Sequence, residues 1–485
     1  MKKMRISMKA VISLFFMIAL ALQVHAGPAK PLGSSLPTGL LKSLPSAMPE
    51  VIEITKGQVA PTPIAIPIFI GDSNYADKIT QVIGSDLDMC GRFQIINQGS
   101  YIQDKNSVHE QVRFADWRVI NSKILLIGKV SESGGKITVE FRVFDVVKGV
   151  QMLGLSLSAD ESKWRKLAHM VADAVYERVT GDAGFFDSQI VFIHEEGHGK
   201  GKRKFLSVMD LDGHNFVKLT DGKNLVLTPR FSPSTHHIAY LAYKKDSAGV
   251  YLMDVRARNT RHLGDFKGMT FAPRFSPDGS TVVMSLTKGT STAIYTYSVP
   301  TKSKSQLTEH VQIDTSPCYS PDGTHLVFTS DRVGGVEKIF TMRSDGSGTQ
   351  QISQGQGQYS QPIWSPRGDL IAFSKRAGGR FYLGVMGIDG SGERLIDEAY
   401  LIEGAAWSPN GQYIIYTKES PPNKKGHSNS ELWCIDLTGL VRFKIKTPGN
   451  ASDPAWSPLL SSISVKDKNS HVASAQEKTE APTTA

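Results

Sequence analysis

The 485 residues are 40% hydrophobic and 21% charged. That is the balance of a globular chain with room for more than one core, and it excludes a membrane bundle or a disordered polyelectrolyte. The formal charge is +9, but the first 26 residues hold four basic and no acidic side chains, leaving 51 basic against 46 acidic and a net charge near +5, too mild for a nucleic-acid binder. Three cysteines, Cys90, Cys318 and Cys434, are too few for a disulfide framework.

In chain order, Lys2, Lys3, Arg5 and Lys9 precede a short apolar run, Ala10 to Leu22, and small residues follow at Val24 and Ala26. This is a secretory signal pattern with cleavage between Ala26 and Gly27. No later segment approaches ~18 continuous apolar residues, so the processed chain is not expected to span a membrane. Residues 27–50, rich in Pro, Gly and Ser, read as a flexible arm. Residues 51–182 read as a small α/β domain. Strands are expected at 51–55, 64–70, 93–96, 124–130, 137–145 and near 151–157, with a helix from Tyr75 to Leu87. Glu161 to Thr180 reads as an amphipathic helix with Trp164, Leu167, Ala168, Val171, Val175 and Val179 on one face, stopped by Gly181.

The C-terminal half carries a repeat. Pro-x-aromatic-Ser-Pro, or a close variant, recurs with its serine at 232, 276, 320, 365, 408 and 457. A period near ~45 residues in a β-rich sequence indicates propeller blades. In Ser-Pro-Asp-Gly, proline presets φ at the second position of a type I turn and glycine supplies φ > 0 at the fourth. Short apolar runs follow, such as Val282-Val283-Met284 and Ile371-Ala372-Phe373, as expected of strands covered on both faces. The first apolar run, Ile190 to Ile193, has no motif before it, and the last motif has no apolar run after it. The expectation is a six-bladed β-propeller over 187–460, closed when 453–458 completes the first blade. Residues 461–485 are polar and read as a disordered tail.

One motif points to different chemistry. His194-Glu195-Glu196-Gly197-His198 matches H-E-x-x-H, which binds zinc when both histidines share one face of a helix. Here it follows a strand and runs into glycines, so it is read as an inter-strand loop with no metal. An exported hydrolase or metalloprotein using His194, Glu195 and His198 is the alternative. A serine hydrolase would need G-x-S-x-G, which the sequence lacks. The Asp-Gly pairs at 345–346 and 389–390 read as hairpin turns and lack the loop spacing of an EF-hand.

SDLDMCGRF (85–93), Trp117 in FADWRVI and LAHMVADAVYERVTGDAGFFDSQIVFI (167–193), followed by the six repeats, resemble the TolB family of the Tol–Pal system. The resemblance runs from about 51 to 460, although the arm 27–50 looks longer than usual for the family. It implies a periplasmic, non-enzymatic binding protein without cofactors, serving outer-membrane integrity and constriction during cell division. Its implied partners are the lipoprotein Pal, bound through a propeller rim, and TolA, reached through the N-terminal region; another outer-membrane lipoprotein, or a glycan, is a further reading. Matching the family pattern puts Met269, Ala272 and Thr315 at the Pal contact, with Met269 where the pattern carries a polar residue. Asp314 beside Thr315, and Glu403 and Asp453 in the corresponding loops of later blades, join them by position. The loops are 268–272, 312–316, 357–361, 401–404 and 450–453.

Overall fold

The computed structural model describes residues 60–459, apart from 198–200, 245–246, 267–272 and 425, together with 464–467. The signal segment, its cleavage site at Ala26 and Gly27, the arm 27–50 and the strand expected at 51–55 lie outside the described residues.

The α/β domain is built on β1 (Thr62–Ala65), β2 (Ile70–Gly71), β3 (Phe93–Ile95), β4 (Ile124–Ser133), β5 (Lys136–Asp145) and β6 (Val150–Asp160). Its sheet runs β3-β1-β4-β5-β6, with β2 on β4. The strand expected over 64–70 is split into β1 and β2. Pro67 lies in the gap, and without an N–H it cannot donate to a ladder. Helix α1 (Ser73–Met89) starts where Asp72 accepts the Asn74 N–H at 2.9 Å. Two short helices, α2 (Ser107–Glu110) and α3 (Phe114–Val119), come next. Trp117 of α3 is fully buried among Ala65, Leu125, Ile127 and Phe144. Helix α4 (Trp164–Thr180) packs on α1, β5 and β6 and ends at Gly181, whose φ of 80° and N–H bond to the Glu177 carbonyl make a left-handed stop. Its buried stripe is wider than the periodicity suggests: His169, Ala172 and Tyr176 join Leu167, Ala168, Val171 and Val175. One apolar cluster explains this, running from α1 and α4 through Phe185 and Phe186 to Tyr413, Ile415 and Trp456 of the propeller.

The propeller consists of six four-stranded antiparallel sheets. In blade 1 the order is closing strand Asn450–Trp456, then β7 (Gln189–Glu196), β8 (Arg203–Asp210) and β9 (Val217–Lys218). The ring is sealed by the device that shapes the other blades. In blades 3, 4 and 6 the motif serine hydroxyls of Ser276, Ser320 and Ser408 accept the N–H groups of Thr281, His325 and Tyr413, each at 3.0 Å. In blade 1, Ser457 accepts the N–H of Gln189 at 2.9 Å, across 268 residues of chain. The turns follow the expected chemistry: Gly279, Gly323, Gly368 and Gly411 each donate to their motif serine carbonyl at 2.9 Å.

Two sequence expectations change here. His194, Glu195 and Glu196 belong to β7, not to a loop, because they pair with Phe205, Lys204 and Arg203 of β8. The polar tail is not featureless throughout: Ser464–Asp467 forms a strand antiparallel to β6, extending the edge of that sheet.

Candidate functional site

The first strand of every blade is an end strand of its sheet, and these strands contact one another around a ring. They therefore surround the propeller axis. Each runs toward its motif turn, so the ring has two distinct ends. The α/β domain packs at the motif-turn end. Asn410 of a motif turn donates to the Ala183 carbonyl at 2.8 Å, the Tyr413 hydroxyl donates to the Cys90 carbonyl at 2.7 Å, and the Trp456 indole donates to Ser188 Oγ at 2.7 Å. The other end carries the starts of the first strands and the turns between second and third strands.

Apart from 268–272, which lie outside the described residues, the residues expected as rim loops lie largely inside those first strands, and five of the six strands share an irregularity. The register shifts between Leu227 and Arg230, Thr315 and Cys318, Ser360 and Ile363, Glu403 and Ala406, and Ser452 and Ala455. At each shift one residue has positive φ: Thr228, Ser316, Gln361, Gly404 and Asp453, between 50° and 63°. These are β-bulges, which bend a strand and re-aim its side chains, and left-handed backbone at non-glycine residues stores strain. Neighbouring bulges lock together: Gln361 Oε1 accepts the Gly404 N–H at 2.8 Å, and Thr417 Oγ1 accepts the Asp453 N–H at 3.0 Å.

Met269 and Ala272 lie outside the described residues. Asp314 and Thr315 are buried, not displayed. Both Asp314 carboxylate oxygens accept from Arg332 Nη2 at 2.9 Å, and the guanidinium stacks over Phe328 and Phe340. Asp314 thus holds Arg332 in place from beneath. What the same corner exposes is apolar: Val311 (75% exposed), Ile313, Val333 and Val336. Sequence reading placed Ile313 in the expected loop 312–316 but missed Val311, Val333 and Val336, although valines among the polar and glycine-rich residues of 309–337 are a detectable signal.

Glu403 and Asp453 are partly exposed and belong to a charged cluster. Burial, with Asp453 and Glu419 adding to it, pushes the Glu403 carboxyl up to about 7. Glu195 lies between Lys202 and Lys204, and burial is outweighed by the two ammonium groups, which hold it below the usual carboxylate range. On the ring itself Arg230 is 8% exposed, donates from Nη1 to the Pro229 carbonyl at 2.7 Å and leaves Nε without an acceptor. Burial, with Arg274 nearby, draws its guanidinium down to about 9.

The H-E-x-x-H residues do not form a zinc site of the helical kind. On a strand, His194 and Glu195 point to opposite faces. His194 Nε2 contacts Glu196 at 3.2 Å while Glu195 is engaged by lysines. His198 lies outside the described residues.

An α/β domain fused through one apolar core to a six-bladed propeller, with one face not covered by the described residues, defines a propeller scaffold of the kind that presents a multi-loop surface. The family comparisons agree. A family described as "TolB amino-terminal domain" matches residues 50–152, and "TolB beta propeller domain" matches 176–460. The Tol-Pal system protein TolB of Paramagnetospirillum magneticum is 49% identical over 429 residues, covering 87% of this chain and 96% of that protein. The crystal structure of TolB from Acinetobacter baumannii superposes with a TM-score of 0.75 at 25% identity, over 82% of this chain and 97% of that one. The chain belongs to the TolB family of the Tol–Pal system.

Proposed function

We propose that this protein acts by binding, without catalysis or cofactor, in the periplasm: its open propeller rim takes the lipoprotein Pal and its N-terminal region communicates with TolA. In this role it supports outer-membrane integrity and constriction during division. The observation that carries the rim assignment is the exposed apolar corner of Val311, Ile313, Val333 and Val336, at the end of the propeller opposite the packed α/β domain. Apolar residues grouped at a loop-built surface, over a rigid support such as the Arg332–Asp314 pair, suit protein recognition. The bulged first strands support the same reading, since strain held in repeat on one ring is a feature of binding surfaces. Arg230, which has no ion-pair partner among the described residues and an Nε without an acceptor, favours a partner that brings acidic groups. Among the described residues no helix is long and apolar enough to cross a membrane.

The test is calorimetric titration of the processed chain from Gly27 with the soluble domain of Pal from the same organism. The expected result is saturable one-to-one binding, weakened about tenfold or more by Val311→Asp with Val333→Asp, with the melting temperature unchanged. Binding that survives the double substitution would remove this corner from the contact, and no binding by the native chain would refute the Pal assignment.

A further inference from the structure

The seam between the α/β domain and blades 1 and 2 forms a half-open pocket of about 640 Å³. That volume is within the range of sites for small ligands. Its lining is unusual in charge. Helix α4 begins there, and its first turn contains no acidic residue and no side-chain cap, only Arg165 and Lys166 after Lys163. Cations at the positive end of a helix are unfavourable unless compensated. Two are compensated: Arg165 by Asp212 and Lys166 by Asp187. Lys163 pairs with Asp160 at 3.3 Å on the exposed surface.

The facing wall adds more positive charge. Arg256 and Arg258 come from the turn after the third strand of blade 2, and His236 from that blade's motif turn. The acid nearest to them in sequence, Asp254, is spent on the N–H groups of Arg256 and Ala257 at 2.8 and 2.9 Å. Neither guanidinium has an ion-pair partner among the described residues. Asp210, the remaining acid of the lining besides Asp187, is engaged by Gln189 and Asn215. The lining also includes His169, 3% exposed. Its Nδ1 meets Asp86 at 2.7 Å, while Nε2 has no hydrogen-bond partner and stands 3.6 Å from Asp212. A buried ring nitrogen that reaches only Asp212, beyond hydrogen-bond distance, and two guanidinium groups with no ion-pair partner among the described residues leave a polar demand that those residues do not fully meet.

We infer that this seam pocket is a binding site for a small ligand bearing phosphate or carboxylate oxygens, gripped by Arg256 and Arg258 on the propeller side and by the start of α4 on the other. Guanidinium groups suit such oxygens because they can donate in pairs. A ligand held this way ties the two domains together, so its binding raises the stability of the whole processed chain.

Thermal melts and calorimetry of the processed chain with inorganic phosphate, and separately with succinate, test this against sodium chloride at matched ionic strength. The expected result is a saturable rise in melting temperature with at least one of the two and none with chloride. Which of them binds distinguishes a phosphate-bearing from a carboxylate-bearing ligand. Arg256→Glu with Arg258→Glu, both exposed, should leave the melt in chloride unchanged and weaken binding by roughly a hundredfold, about tenfold for each lost charged contact. Equal shifts with chloride, no shift with either anion, or binding that persists in the double variant would overturn the inference.

Discussion

His169→Gln probes how the two domains are held together. His169 on α4 is surrounded by Asp86 from α1, Asp210 at the end of β8, Asp212 from the β8–β9 turn, and Arg165 one turn earlier on its own helix. Burial disfavours the imidazolium, but Asp86 and Asp212 outweigh it and lift the group from 6.5 to about 9. A histidine raised on folding adds stability that is fully present below its unfolded value and is lost as pH rises through its folded value. The window is therefore pH 6.5 to about 9. A shift of that size corresponds to at most roughly 3 kcal/mol, or roughly 4 °C of melting temperature for a cooperative unit of about 400 residues. Calorimetric melts of the native chain and the glutamine variant should be compared at half-unit steps across that window. The native chain should lose stability toward the alkaline end, and the variant, which can still donate to Asp86, should start lower and show a flatter profile there. Parallel profiles would refute the assignment of the alkaline loss to this cluster.

Other substitutions test the propeller. Gly390 and Gly392 share one turn with φ of 86° and 61°, but only at Gly390 would a Cβ strike the backbone carbonyl of Ile352 in the neighbouring blade. Gly390→Ala should lower the unfolding free energy from denaturant titration by about 1–3 kcal/mol more than Gly392→Ala; equal effects would refute the close-approach argument. Trp456→Phe removes the indole bond to Ser188 Oγ and should cost about 1–3 kcal/mol by equilibrium unfolding, with a loss below ~0.5 kcal/mol counting against a role for this bond in the seam. Asp314→Ala leaves the Arg332 guanidinium without its carboxylate and should weaken Pal binding in the proposed titration; unchanged affinity would show that Arg332 needs no such support.

Local chemistry carried most of the architecture into the sequence. The Ser-Pro-x-Gly turns announce themselves because each needs proline, a hydroxyl and a left-handed residue at fixed offsets. The mismatch of a run without a motif at 190–193 and a motif without a run at 454–458 gave away the shared blade. What stayed hidden depends on partners distant in the chain. Asp314 looks like a loop residue until Arg332 folds over it. His169 looks like a polar interruption of a helix face until Asp86, 83 residues away, is placed against it. The bulges were hard to read because, apart from Gly404 and Asp453, positive φ falls on Thr228, Ser316 and Gln361, residue types that do not advertise it.

The sealing of blade 1 also constrains the order in which this molecule can assemble. β7 is among the first propeller segments to leave the ribosome, yet its inner partner is the last strand of the ring. Until residues 450–457 arrive, β7 has a bare edge and Gln189 lacks the hydroxyl that receives its N–H. Bringing together groups 268 residues apart carries a loop-closure cost of roughly 5 kcal/mol. Folding of the intermediate blades first would lower that cost by curving the chain back on itself. A chain shortened at its C-terminal end would thus not lose one strand's worth of stability. It would leave an arc of five complete blades and one open edge, a species suited to pairing with a second copy instead of with itself.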